Sequence, residues 1–235
     1  MKRILSQIAV KGVACIGLLA GNVQAEPVTL AKLDGVTGGN PAFTAVFKAN
    51  LSGVSFGTIF SISIRDNSSL LGGAPGQFSG FDLDAIKLST TDCLTAACAA
   101  SAPALSVFNF SGGVIFTPGT QRLPADPRLF GTDGTGTAVD NAIATLGLFD
   151  GDSSTTAPDG FLSMGDNGRI SFNLTSGVST LGLFLYIGEV GDNGEAAAGA
   201  ITVGNTPVAV PEPGTLALAG LALAGLGLFR VRKVT

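Results

Sequence analysis

Four aspartates in one Gly/Ser-rich stretch have the side chains best suited to binding a ligand. They are Asp150, Asp152, Asp159 and Asp166. Ca²⁺ prefers hard oxygen ligands carried on flexible loops, so this stretch predicts a candidate calcium site. It lacks the glycine and glutamate placement of an EF-hand loop. The alternative is that each aspartate starts a turn through its own side chain. No other metal or cofactor is indicated.

Two cysteines, Cys93 and Cys98, lie close together with four residues between them, and the remaining cysteine, Cys15, is near the N-terminus. In an oxidising compartment this pair predicts a local disulfide. Because the closed loop is short, the chain-entropy argument gives the bond only about 2 kcal/mol. The spacing is not that of a redox CxxC motif, and the chain has no histidine to complete the usual zinc site.

The absence of histidine also argues against an enzyme, because Ser-His-Asp and Cys-His nucleophiles cannot be built. A carboxylate pair such as Glu189 and Glu195 could in principle cleave a glycoside, but both lie beside turn-type sequence. Asp82 and Asp84 share one face of a predicted strand, and we interpret that face as a solvated edge. The chain has no tryptophan, and Tyr186 sits in an apolar strand typical of a core. We therefore expect a non-enzymatic protein.

The elements that must position these residues are predicted to be strands. Short apolar runs alternate with polar residues and are separated by Gly-Gly, Asp-Gly and Asn-Gly turns. In the clearest run, Phe60, Ile62 and Ile64 share one face and Ser61 and Ser63 the other. The predicted strands are residues 28–33, 42–48, 58–65, 77–88, 105–110, 113–116, 143–149, 169–174, 181–190 and 200–203. This pattern predicts an all-β fold, an antiparallel two-sheet sandwich resembling a jelly roll. Residues 119–140 are predicted to form a long loop.

The N-terminal 25 residues have the features of a secretory signal peptide. Positive charge comes from Lys2, Arg3 and Lys11. An apolar run at 12–20 follows, and small residues end at Ala25, which predicts cleavage before Glu26. The sequence therefore predicts export.

The C-terminus combines a rigid proline motif, an apolar run and a basic end. Val210, Pro211, Glu212 and Pro213 precede residues 214–229, which carry no charge, and Arg230, Arg232 and Lys233 follow. Leucines are spread around all sides of a helix over 214–229, which is typical of a helix in lipid. Sixteen residues span about 24 Å, slightly short of a bilayer core of about 30 Å. The cations place residues 230–235 in the cytoplasm and the preceding chain outside.

This C-terminal arrangement resembles the PEP-CTERM sorting signal of Gram-negative, exopolysaccharide-producing bacteria. The resemblance implies a membrane-embedded exosortase as a partner, which processes the tail and directs the protein to the surface. Three other segments, at 80–86, 162–168 and 189–195, are similar to segments of the extracellular sandwich domains that carry this signal. That second resemblance implies location and fold but no chemistry.

We therefore divide the chain into a signal peptide (1–25), an extracellular sandwich domain (26–205), a linker with the proline motif (206–213), a sorting helix (214–229) and a basic tail (230–235). Between Glu26 and Pro213 only 7 of the 13 cations remain against 17 acids, a net charge of −10. Such a domain should not bind nucleic acid by charge attraction. We expect an inner-membrane precursor that moves to the cell surface or matrix, with a structural or adhesive role in exopolysaccharide or biofilm. The alternative is a secreted lectin-like module or glycan-acting enzyme.

Overall fold

The computed structural model describes residues 23–39, 43–67, 74–154, 156–193 and 201–209. Within these ranges the chain forms ten strands and two short helices. The strands are β1 (Ala25–Pro27), β2 (Ala31–Thr37), β3 (Thr44–Asn50), β4 (Thr58–Arg65), β5 (Asp82–Ser89), β6 (Val114–Thr117), β7 (Leu162–Ser163), β8 (Arg169–Ser179), β9 (Phe184–Glu189) and β10 (Ile201–Gly204). The helices are α1 (Ala96–Ser101) and α2 (Asn141–Ala144).

The strands form two five-stranded sheets in which every ladder is antiparallel. Sheet A has the order β1-β10-β4-β8-β6, and sheet B has the order β2-β3-β9-β5-β7. The predicted two-sheet, all-β antiparallel architecture is confirmed.

The core lies between the sheets. Its largest members from sheet A include Ile59, Ile62 and Phe172, and those from sheet B include Leu88 and Ile187. A smaller apolar cluster lies on the other face of sheet B, where Val46, Phe184 and Tyr186 pack against α1. We call the face of each sheet that points away from this core its outer face.

Strand β4 has the predicted bounds, but the side chains that face the core are not the predicted ones. The ladder with β8 shifts register between Ile59 and Ser61, which is the signature of a bulge. Ile59 therefore joins Ile62 and Ile64 in the core, whereas Phe60 is only half-buried. The simple alternation of the sequence could not reveal this shift.

Several predicted strands are wrong in whole or in part. The prediction at 28–33 covers the gap between β1 and β2, and only residues 31–33 lie in a strand. Residues 143–149 contain the end of α2 and a turn, because the Asp140 side chain accepts a hydrogen bond from Ala142 N and caps a single helical turn. Residues 105–110 form no ladder and have only an isolated bridge at Phe108. The predicted strand at 77–88 begins at Asp82, because residues before it form a 3-10 turn, Gly76–Phe78. The long loop at 119–140 carries no ladder strand, as expected.

Candidate functional site

Three Gly/Asp-rich segments singled out in the sequence meet at one end of sheet B. Strand β5 pairs with β7, with Asp82 opposite Ser163. Met164 N donates to Phe81 O at 3.0 Å, and Val190 N donates to Asp82 O at 3.0 Å. We call this region, residues 79–84, 162–168 and 189–191, the Gly/Asp junction. The three segments are therefore neighbours in space.

The junction depends on close approach of backbones. Gly80 has φ +76°, and a Cβ there would lie 2.3 Å from the carbonyl carbon of Gly165. Gly165 N donates to Ser79 O at 2.7 Å, which fixes the crossing. No side chain larger than hydrogen fits between these two segments, so glycine at position 80 is required by packing as well as by φ.

Buried carboxylates hold the loops around the junction. Asp66 accepts hydrogen bonds from Phe81 N at 3.0 Å and from Asn167 N at 2.8 Å. Asp166, 2% exposed, accepts from Arg122 Nε at 3.0 Å and 3.2 Å. These acids accept hydrogen bonds from groups of distant segments, so their arrangement is suited to fixing loops.

Asp84 is fully buried on the outer face of sheet B. Burial raises the pKa of its carboxyl to about 7, although three hydrogen bonds oppose the shift. Thr44 Oγ1 donates to one oxygen at 2.6 Å, and the backbone N–H groups of Asp150 and Gly151 donate to the other at 3.2 and 3.1 Å.

The interpretation of Asp82 and Asp84 as a solvated edge is wrong. Strand β5 lies between β9 and β7 in sheet B, and the two side chains are 5% and 0% exposed. Ser163 Oγ donates a short hydrogen bond to Asp82. The residues that cover Asp84 come from the loop at 150–151, whose position the sequence does not reveal.

The candidate calcium ligands contact three different sets of partners. Asp150 follows α2, and its side chain accepts from Thr145 Oγ1 at 2.7 Å. Asp152 and Asp159 face each other across an antiparallel bridge, with N–H to O distances of 2.8 and 3.2 Å. Asp166 lies in the Gly/Asp junction with Arg122. Among the described residues no three His, Cys, Asp or Glu side chains form a metal-binding group. A calcium site at these aspartates stays a prediction.

The two downstream cysteines lie on the outer face of sheet B. Their sulfurs are 2.02 Å apart and their Cα atoms 5.5 Å apart, so the structure has them joined as a disulfide at the start of α1. Tyr186 on β9 holds the same segment, because Cys93 N donates to its Oη at 2.9 Å and its hydroxyl donates to Thr91 O at 2.6 Å. The expected core position of Tyr186 is confirmed by its 0% exposure.

A buried lysine that the sequence analysis did not single out anchors the other end of α1. Lys87 Nζ donates to the carbonyls of Ala99, Ala100 and Ala102 at 2.8, 2.7 and 3.2 Å. It lies 5.0 Å from the centre of the Phe149 ring. Burial lowers the pKa of this lysine. The sequence does carry a signal for buried polar contacts. Residues 81–88 are mostly apolar but include one lysine and two aspartates.

The chain leaving β10 is attached to the outer face of sheet A. Ser61 Oγ donates to Thr206 O at 2.7 Å. The Asn173 side chain makes two hydrogen bonds to Val208, donating to its carbonyl at 3.0 Å and accepting from its N–H at 2.7 Å. The segment predicted as a linker from residue 206 is thus bonded to the sheet as far as Val208.

The predicted sites at the chain ends are only partly described. Ala25 and Glu26 belong to β1, where Ala25 pairs with Gly204. The sorting-motif residues Val210, Pro211, Glu212, Pro213, Arg230, Arg232 and Lys233 lie outside the described residues, as do the predicted helix at 214–229 and most of the predicted signal peptide. In the part of the chain that is described, no helix has the length and apolar character needed to cross a membrane.

Comparison with known proteins identifies the C-terminal segment. A family model described as the PEP-CTERM protein-sorting motif matches residues 209–233. No curated protein and no solved structure matches the chain. The match covers the proline motif, the apolar run and the basic residues to Lys233, and it indicates a protein that is exported as a membrane-anchored precursor and sorted by an exosortase-type system.

Proposed function

Because the chain is a protein with a PEP-CTERM sorting motif, we propose that its two-sheet domain is delivered to the cell surface or extracellular matrix, where it has a structural or adhesive, non-enzymatic role. The observation that carries the proposal is the motif match at residues 209–233. The resemblance stated for this signal supports an exopolysaccharide or biofilm context as part of the proposal. The predicted signal peptide at 1–25 and the sorting helix at 214–229 belong to the same proposal.

The polar groups of the domain support a structural role. Asp66, Asp84, Asp166 and Lys87 are buried and bound to backbone or side-chain groups of other segments. Because these side chains are buried and hydrogen-bonded to other segments, they stabilise the loops on the sheets. The net charge of −10 between Glu26 and Pro213 disfavours direct attraction to an anionic polysaccharide, so contact would use neutral sugars or a bridging divalent cation.

We further propose that the fold is a jelly roll. From β3 to β10 each connection passes from one sheet to the other. Without the edge strands β2 and β6, the sheets read β1-β10-β4-β8 and β3-β9-β5-β7. Eight strands divided in this way between two sheets are the arrangement of a double Greek key.

The sorting part of the proposal is tested by Pro211→Ala with Pro213→Ala in the full chain expressed in its exporting host. We expect the double substitution to abolish C-terminal processing, read as the intact mass of the recovered protein. Unchanged processing in this variant would refute sorting through this motif.

The role is tested with the mature protein recovered from the host, on a glycan array and in a hydrolysis screen. We expect no turnover of any polysaccharide. Turnover would replace the structural role with a glycan-acting enzyme, and saturable binding of one neutral glycan without turnover would replace it with a lectin-like module.

A further inference from the structure

The outer face of sheet A holds both ends of the domain at one place. Gln24 N donates to Asn205 Oδ1 at 2.8 Å, and Asn205 N donates to Gln24 O at 3.0 Å. These bonds continue the pairing of β1 with β10, in which Ala25 lies opposite Gly204. The predicted cleavage point of the signal peptide therefore lies beside the start of the C-terminal segment.

A groove of about 480 Å³ lies at this place. Its lining includes Ala25 from the N-terminal end, Val208 and Ala209 from the C-terminal end, and Arg169 and Ser171 from β8. Ala209 is also the first residue matched by the sorting-motif family model. Among the described residues, the motif thus begins directly after Val208, which is bonded to the sheet.

The attachment of residues 206–208 is specific rather than a chance surface contact. Asn173 satisfies both backbone groups of Val208, as a neighbouring strand would. Buried Ser61 satisfies Thr206 O, and a Cβ on Gly204 would lie 2.5 Å from Ser61 Oγ. The sequence thus provides two polar side chains and a glycine that together bring the chain back against the sheet.

We infer that Asn173 and Ser61 form a clamp that holds the segment before the sorting motif on the domain, and that the processing enzyme can reach the motif fully only when the clamp opens. The inference rests on the proposed function. A protease that works in the membrane needs the chain around the cleaved bond free and extended, and residues 206–208 are not free while the clamp is closed. The rate of processing is then proportional to the fraction of precursor in which the clamp is open.

The inference makes Asn173 a positioning residue for the motif and predicts the effect of its removal. Two hydrogen bonds to Val208 are lost in Asn173→Ala, so the clamp is open in a larger fraction of the precursor. We expect processing of the full-length precursor to become several-fold faster, measured by pulse-chase labelling in the exporting host. Asn50→Ala is the matched control, because Asn50 also accepts a hydrogen bond from a backbone N–H, that of Ser52, but on sheet B. It should leave the processing rate unchanged.

A second variant leaves the domain intact. Insertion of a flexible Gly-Ser segment of about ten residues between Ala209 and Val210 moves the motif away from the clamp, and it should accelerate processing as much as Asn173→Ala does. Adding the insertion to Asn173→Ala should give no further acceleration. Hydrogen exchange of the full chain in detergent should show the amide of Val208 protected in wild type and exchanging freely in Asn173→Ala.

The clamp is refuted if the insertion does not change the processing rate, or if Val208 exchanges freely in wild type. These results differ from failure of the proposed function, in which Pro211→Ala with Pro213→Ala leaves processing unaffected.

Discussion

At the scale of single residues, buried polar groups explain how the loops are held on the sheets, and Asp84 is the clearest case. Its carboxyl has a pKa of about 7 in the folded protein because burial disfavours the charged form. In the unfolded chain the pKa returns to about 3.9. The folded state therefore binds more protons between about pH 4 and 7, and stability falls as pH rises through that window, by up to about 1.4 kcal/mol per pH unit.

We predict that Asp84→Asn removes this dependence. The amide oxygen can accept from Asp150 N and Gly151 N, and the amide NH₂ can donate to Thr44 Oγ1, so the contacts survive without a charge. Urea denaturation at pH 5 and pH 8 should show that the stability of the variant relative to wild type is greater at pH 8 than at pH 5, because only wild type loses stability through the ionisation of Asp84 in this range. Asp34→Asn, at an exposed acid, is the control. If wild type is equally stable at both pH values, the raised pKa of the buried Asp84 carboxyl is contradicted.

Tyr186 joins the disulfide segment to β9, and its hydroxyl is bound at both sides. Tyr186→Phe leaves Cys93 N and Thr91 O without this partner, and we expect a loss of about 1–3 kcal/mol in the free energy of unfolding. Circular dichroism during chemical denaturation measures it. Leu181→Ala, at a side chain 83% exposed, should change stability much less. Equal stability of wild type and Tyr186→Phe would show that solvent replaces the hydroxyl.

At the scale of elements, alternation predicted the bounds of strands such as β4 and failed where local backbone bonding competes. Strand β4 has its predicted bounds, 58–65. The apolar run at 143–149 was taken for a strand, but the Asp140 cap and the left-handed Thr145 (φ 39°) fold it into a helical turn that buries Ala144 and Leu146. Apolar content alone does not distinguish these outcomes.

The Gly/Asp junction gives the element-scale prediction. Gly80→Ala places a Cβ 2.3 Å from the backbone of Gly165 at φ +76°, so it combines left-handed strain with overpacking. We expect a loss of about 2–4 kcal/mol in the free energy of unfolding. Gly57→Ala is the matched control, because its φ is +65° and nothing lies within 4 Å of the added Cβ. It should cost only about 1–2 kcal/mol. Equal losses in thermal or urea unfolding would show that the crossing of the two segments is not tight.

At the scale of the whole molecule, the sequence predicted the two-sheet class and the sorting signal more fully than the candidate site. The sorting signal is read from consecutive residues, so it needs no folded structure to be recognised. The environments of Asp84 and Asn173 depend on contacts with residues 150–151 and with Val208. No local pattern encodes such distant contacts, and the interpretation of Asp82 and Asp84 as a solvated edge was wrong for that reason.

The intact mass of the protein recovered from its native host tests the central claim, sorting of an exported precursor, most directly. We predict a mass that lacks the segment before Glu26 and the apolar and basic residues after Pro213, with the new C-terminus at or near residues 211–213. A mass equal to that of the full chain of 235 residues would contradict the account.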